Sequence, residues 1–321
     1  MKQENTEKRT KKVLSIILKL VGAIVLVIVL FFAIVFIVNL ISSKSEEAKI
    51  QTYGQFVQVD GENMNVFVEG EGEETIVLLP GYGTAAPALD FKPLIEELAP
   101  FYKVVVVEPF GYGLSDHTEK ERTTENIVYE IHEVLQTLDI DEYILMGHSI
   151  AGIYGLDYVN NFEDEVQAFI GIDTSVPTQG GMDEDLPITT FNLLRKSGLG
   201  RLVVNLGDDP YERLPFDEDT KEQMRLITHK NLFNPSNLNE MKHFSSNFNK
   251  AQSLTFPDNL PLLLFIQENN VDVEGWVSLH EEQVSHSLHG KIMMFDADHY
   301  LHHTKSKEMV ENMRVFLSET E

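Results

Sequence analysis

Four short runs in this 321-residue chain are apolar on both faces: Thr75–Leu79 (T-I-V-L-L), Tyr102–Glu108 (Y-K-V-V-V-V-E), Tyr143–Met146 and Leu262–Ile266 (L-L-L-F-I). A strand of that kind must be covered on both sides, which a parallel sheet flanked by helices achieves. Between the runs the apolar period changes from two to that of a helix. Thr124–Leu138 puts Ile127, Ile131, Val134, Leu135 and Leu138 on one face, and Leu89–Leu98 has similar spacing. Further helices are expected from Ile150 to about Asn160, from Glu274 to Leu288 and from Lys305 to Ser318, with strands at Val166–Ile172 and Lys291–Phe295. Phe56–Val59 and Asn63–Glu69 alternate around Asp60-Gly61, a hairpin signature. The spacing predicts an α/β fold with a doubly wound, mostly parallel sheet. Residues from Pro177 to about Pro257 interrupt the alternation with helix-like stretches and acidic turns, so they are expected to form an inserted helical cap over the strand C-terminal ends.

The N-terminal segment is a separate object. Val13 to Ile41 is apolar except for Ser15, Lys19 and Asn39. Its uncharged centre, Leu20–Val38, would span ~28 Å as a helix, close to the ~30 Å hydrocarbon thickness of a bilayer. A cleaved signal has a shorter apolar region, and a core helix shows a polar face, so the run is read as a retained transmembrane anchor. Lys8, Arg9, Lys11 and Lys12 precede it and predict a cytoplasmic N-terminus, with the rest of this single-pass protein extracellular. The expected organisation is a basic tail (1–12), an anchor (13–41) in the lipid bilayer, a polar tether (42–54), the core (55–176 and 258–321) and the cap (177–257).

Charge follows that division. The net charge is −26, and beyond Lys44 the chain holds 18 basic and 49 acidic residues. So acidic a body repels phosphate backbones, which argues against nucleic acid as a partner. The chain has no Cys, which excludes a disulfide scaffold, a thiolate metal site and a cysteine nucleophile, and suits an exported protein built without disulfides.

Chemistry concentrates at Gly147-His148-Ser149-Ile150-Ala151-Gly152, between an apolar strand and a helix. So tight a reversal exposes the side chain of Ser149 at the sheet edge and demands small neighbours, which Gly147, Ala151 and Gly152 supply. The helix that follows points its N-terminus at the site and favours negative charge there.

With Leu78–Gly83 (L-L-P-G-Y-G), Val104–Asp116 (V-V-V-V-E-P-F-G-Y-G-L-S-D) and Phe295–His302 (F-D-A-D-H-Y-L-H) in the same order, the chain from about Phe56 to Phe316 resembles the α/β-hydrolase superfamily. The resemblance implies Ser149 as nucleophile, His299 as general base, and the backbone N–H groups of Tyr82 and Ile150 as an oxyanion hole. His148 is expected to point away from Ser149. Pro80 and Ala151 stand where relatives carry His and Gly, and neither change removes a required donor. The acid is less direct. After strand 7 the loop reads Ile266-Gln267-Glu268-Asn269-Asn270-Val271-Asp272, with Asn270 in the usual acid slot. Asn cannot carry the charge that stabilises an imidazolium. Asp173, after strand 6, is the favoured substitute, with Glu268 and Asp272 as alternatives.

The implied function is a serine hydrolase acting on a small-molecule ester or amide, with no cofactor and no metal. The G-x-G pairs at residues 81–83 and 111–113 do not extend to a dinucleotide fingerprint. His302 and His303, with Asp296 and Asp298, match no common zinc spacing. Trp276 is expected to serve packing. Apolar cap residues, among them Phe191, Leu193, Leu194, Leu199, Leu202, Phe233, Phe244 and Phe248, divide between packing and pocket lining and favour a carboxylic ester of modest hydrophobicity. Two rivals stay open: another hydrolase on the same fold, either a proline-type aminopeptidase, for which Asp183, Glu184, Asp185, Asp208 and Asp209 could receive a substrate ammonium, or another amide or carbon–carbon hydrolase; and a catalytically silent binding or scaffold domain, favoured by Asn270.

Overall fold

A computed structural model describes residues 2–184 and 186–320, with side chains from Arg9 onward. Its strands are β1 (Gln55–Val59), β2 (Glu62–Glu69), β3 (Thr75–Leu79), β4 (Lys103–Glu108), β5 (Tyr143–His148), β6 (Val166–Ile172), β7 (Leu262–Gln267) and β8 (Gly290–Phe295). They form one sheet in the order β1-β2-β4-β3-β5-β6-β7-β8. Only β2 runs antiparallel to its neighbours; every other pairing is parallel. The β1–β2 hairpin turns through Asp60 and Gly61, with φ of 51° and 87°, the left-handed pair that a two-residue turn between twisted strands needs.

The helices are α1 (Lys2–Glu47), α2 (Pro87–Asp90), α3 (Lys92–Leu98), α4 (Thr124–Thr137), α5 (Ala151–Asn161), α6 (Ile188–Ser197), α7 (Leu199–Leu206), α8 (Glu218–Asn231), α9 (Pro235–Ala251), α10 (Trp276–Ser285), α11 (Leu301–Thr304) and α12 (Ser306–Thr320). The two-sided core follows from alternation along each strand. Val105 and Val107 join Leu145 under α4 and α5, while Val104 and Val106 join Ile144 and Met146 under α3 and α12. Helices α6 to α9 fall between β6 and β7, where the alternation breaks in the sequence. The single helix expected over Leu89–Leu98 is two, because Pro93 has no N–H to continue one and instead sits in the first turn of the next.

Helix α1 is long and apolar enough to cross a membrane, and its apolar side chains are exposed. It does not stop at the expected tether. The helix continues to Glu47, and the residues beyond are tied to the body: Gln51 N donates to Gln223 Oε1 (2.8 Å) and Tyr53 OH to Glu108 Oε1 (2.8 Å). Arg201 of α7 reaches Asn39 Oδ1 (2.9 Å), Ser43 Oγ (3.0 Å) and Glu46 Oε2 (2.5 Å). The polar composition that suggested a linker is the surface of a helix with a partner.

Glu108, fully buried at the end of β4, gathers the loops that flank the sheet edge. Its carboxylate accepts from Tyr53 OH, Asn65 Nδ2 (2.9 Å), Ala88 N (3.2 Å) and Leu114 N (2.8 Å). Burial pushes its carboxyl above the usual range, and those donors pull it back. Glu108→Gln turns one accepting oxygen into an NH2 aimed at donors. It is expected to cost about 1–3 kcal/mol and to lower the thermal midpoint of the detergent-solubilised protein. A midpoint within about 1 °C of wild type would contradict this role.

Candidate active site

β5 ends at His148 and α5 begins at Ala151, so Ser149 and Ile150 make the whole turn. Ser149 has φ of 55°, a left-handed conformation that costs a non-glycine residue roughly 1–3 kcal/mol unless its surroundings impose it. They do. Ser149 N donates to Ile172 O (3.1 Å), and Ser149 O accepts from Gly152 N (2.9 Å) and Ser175 N (2.8 Å). The close packing explains the small neighbours: a Cβ on Gly147 would lie 2.8 Å from Ala151 Cβ, and one on Gly152 2.6 Å from Ser175 O.

His299 follows β8 and meets Asp173, which follows β6: Nδ1 and Oδ2 are 2.7 Å apart. Asp173 is fully buried, and its other oxygen accepts from Gln267 N (2.9 Å) and from the indole Nε1–H of Trp276 (2.9 Å). A carboxylate can only accept, so His299 carries its proton on Nδ1 and leaves Nε2 as the basic nitrogen. Trp276 thus packs, being 5% exposed, and also orients the acid, a role that nothing near it in the sequence announces. Behind it His280 is buried, with Nδ1 2.7 Å from Trp276 O and Nε2 2.9 Å from Thr174 O. Burial pulls the His280 ring below its usual pKa, and the two carbonyls oppose that.

Glu268 and Asp272 are exposed on the loop after β7, and neither is a partner of His299 among the described residues. Asn270 shapes that loop, its Oδ1 accepting from Asp272 N and Val273 N (both 2.9 Å).

The loop carrying Tyr82 lies directly on the turn: a Cβ on Gly81 would sit 2.6 Å from His148 Nδ1 and 3.0 Å from Ser149 Cβ. Among the described residues, no backbone acceptor takes the N–H of Tyr82 or Ile150. The Tyr82 side chain points into the cap, where its OH donates to Asn237 O (3.0 Å) and its ring meets Phe244 edge-on at 4.7 Å. Helix α9 is itself fixed to the core by Glu240, a buried carboxylate accepting from Tyr112 OH (2.8 Å) and Tyr154 OH (2.5 Å). Burial raises the Glu240 carboxyl and the Tyr82 hydroxyl above their usual ranges.

His148 points away from the surface. Its Nε2–H donates to His299 O (3.2 Å) and its ring lies 4.6 Å from that of His299, so Ser149 and His299 share one edge of the sheet. Burial, helped by neighbouring His302 and His299, pushes His148 well below its usual pKa. His302 and His303 both turn to Asp90, their Nε2–H groups donating to its two oxygens at 2.8 and 2.9 Å, while Asp296 and Asp298 are exposed. Burial alone would raise the Asp90 carboxyl, but the two imidazoles hold it below the usual range. These three groups could ligate a cation only by surrendering both N–H bonds. Next to them a cavity of about 280 Å³ is lined by Gly83 and Thr84, which follow Tyr82, by Asp298 and Tyr300, which flank His299, and by Tyr211 and Leu214 of the cap.

Residues 74–306 match the family model described as the alpha/beta hydrolase fold. An uncharacterized protein of Bacillus subtilis (strain 168), YbdG, is 30% identical over 239 residues, which cover 72% of this chain and 73% of that protein. A 2-hydroxy-6-oxo-6-(2'-aminophenyl)hexa-2,4-dienoic acid hydrolase of Metapseudomonas resinovorans is 25% identical over 54% of this chain and 58% of its own. Among solved structures, the enol-lactonase from Burkholderia xenovorans LB400 superposes with a TM-score of 0.60 at 16% identity, over 82% of this chain and 100% of that one.

A charge-assisted hydrogen bond as short as that between His299 and Asp173 should move the Nδ1 proton far downfield. Proton NMR is expected to show this resonance in wild type, Glu268→Gln and Asp272→Asn, and to lose it in Asp173→Asn. Its persistence in Asp173→Asn would assign the acid elsewhere.

Proposed function

The chain belongs to the α/β-hydrolase fold family, and on that premise we propose that it is a membrane-anchored serine hydrolase cleaving carboxylic esters of modestly hydrophobic substrates. The observation that carries the reading is the hydrogen bond of His299 Nδ1 with the buried Asp173 carboxylate, on the sheet edge that also presents Ser149. Ser149 Oγ attacks the ester carbonyl while His299 Nε2 takes its proton, and Asp173 stabilises the imidazolium. The free N–H groups of Tyr82 and Ile150 stabilise the oxyanion, a contribution of roughly 3–4 kcal/mol for a single donor in such a hole. His299 then protonates the leaving alcohol, and a water deprotonated by the same nitrogen releases the acid from Ser149. The cavity beside Tyr300 suits one arm of the substrate.

Helix α1 serves as the anchor, and the basic residues before it favour a cytoplasmic N-terminus with the hydrolase body outside. The aminopeptidase alternative is weakened by its own carboxylates. Asp183, Glu184 and Asp208 are exposed, Asp209 is paired with Arg225 at 2.6 Å, and Asp185 lies outside the described residues. The silent-domain alternative rested on Asn270, and Asp173 removes the need for an acid there. Carbon–carbon cleavage stays as a second reading, supported by the dienoic acid hydrolase relative.

A fluorophosphonate probe is expected to label the wild type and not Ser149→Ala, and nitrophenyl esters to turn over faster than aminoacyl anilides or a 2-hydroxy-6-oxo-dienoate. Asp173→Asn should lower kcat by roughly 10³–10⁴-fold. Folded wild type that takes no label would overturn the serine mechanism. Faster turnover of the dienoate would replace ester cleavage by the second reading.

A further inference from the structure

We propose that the cap makes a second contact with the membrane: α6, α7 and the corner between them lie in the bilayer surface beside α1, with Leu193, Val203 and Leu206 among the acyl chains, so that the cavity next to His299 is fed by substrate dissolved in the bilayer. This rests on the reading of α1 as an anchor and extends it to the substrate class, an amphiphilic ester that partitions into lipid.

Depth is the first argument. The corner residue Gly198 packs on α1 so closely that a Cβ there would lie 2.6 Å from Asn39 Cβ and 3.2 Å from Val35 O. Val35 precedes the end of the apolar run at Ile41 by six residues, or ~9 Å of helix. An anchor spanning with that run therefore holds the corner about 5–10 Å inside the boundary, where amphipathic interfacial helices lie. Arg201, 7% exposed and bonded to Asn39, Ser43 and Glu46, makes the relation rigid.

Surface chemistry is the second. Leu193, Val203 and Leu206 are 64%, 62% and 79% exposed, all on these two short helices. Residues 186–207 contain Arg195, Lys196 and Arg201 and no Asp or Glu, in a chain with 51 acids. Arg201 is taken up by α1, and Asp208 follows Leu206 closely, so the exposed cation of the segment is Lys196, and it is the apolar face itself that suits hydrocarbon. Continuity with the site is the third. Past α7 the chain supplies Tyr211 and Leu214 to the cavity that Tyr300 also lines, so the embedded helix leads to its wall.

The chain has no cysteine, so one introduced thiol gives a single labelling site. Full-length Val203→Cys, Leu206→Cys, Val29→Cys and Leu288→Cys would each carry a bimane in vesicles of phosphatidylcholine and phosphatidylglycerol with brominated acyl chains. Val29 lies within the apolar run, and Leu288, 73% exposed, precedes the edge strand β8. Labels at 203 and 206 are expected to be quenched severalfold more than the label at 288, as for groups below the headgroups. Quenching at 29 but not at 203 or 206 overturns this proposal and leaves the anchor standing; no quenching at 29 overturns both. In the double variant Val203→Glu, Leu206→Glu, hydrolysis of a long-chain nitrophenyl ester held in the vesicles should fall about tenfold, since buried charge disfavours the embedded pose, with nitrophenyl acetate in solution unaffected. An equal effect on the two esters would refute entry through the bilayer.

Discussion

A carboxylate without access to water organises the sheet edge on which Ser149 and His299 lie. Burying a carboxylate is costly unless its oxygens are filled, and Asp173 fills both, one with His299 and the other with Gln267 N and the Trp276 indole. Those partners come from the segments after β8, at the end of β7 and at the start of α10, while Asp173 itself follows β6. One side chain thereby fixes the relative positions of four elements. The rotation of the His299 ring, and the nitrogen that stays basic, follow from that.

A second set of buried polar contacts governs the other half of the site. Glu240 on α9 is held by Tyr112 and Tyr154, and Tyr82 reaches the same helix through Asn237 O. The loop that carries Tyr82 is thus oriented by the cap as well as by β3. The cap is divided in its loyalties: α9 belongs to the core, whereas α6 and α7 are fastened to α1. The two attachments meet where α6 packs on α9 and Phe191 stacks on Phe233.

Much of this was legible in the sequence because the signals were local. Apolar runs without a polar face and the small residues around Ser149 determine strand, turn and helix within a few positions. The acid was harder. Asp173 and the loop after β7 are far apart in sequence, and only the sheet order β6-β7-β8 brings Asp173 to His299. Trp276, His280, Asp90 and Glu240 were hidden for the same reason, since their partners lie elsewhere along the chain. Segment 42–54 misled because its polar composition is that of a linker, and the residue that recruits it, Arg201, sits over 150 positions away.

The loss of that linker changes how the protein meets its surroundings. Lys49 and Ile50 amides close on Glu46 O as α1 ends, and Gln51 N is bonded to Gln223 of α8, so contacts to the body begin within four residues of the helix end. A catalytic head on a loose stalk sweeps a hemisphere and samples the bulk medium. On the proposed reading of α1 as an anchor, a body held at fixed height and tilt patrols a plane, and its turnover is governed by how many substrate molecules occupy a unit area of that plane.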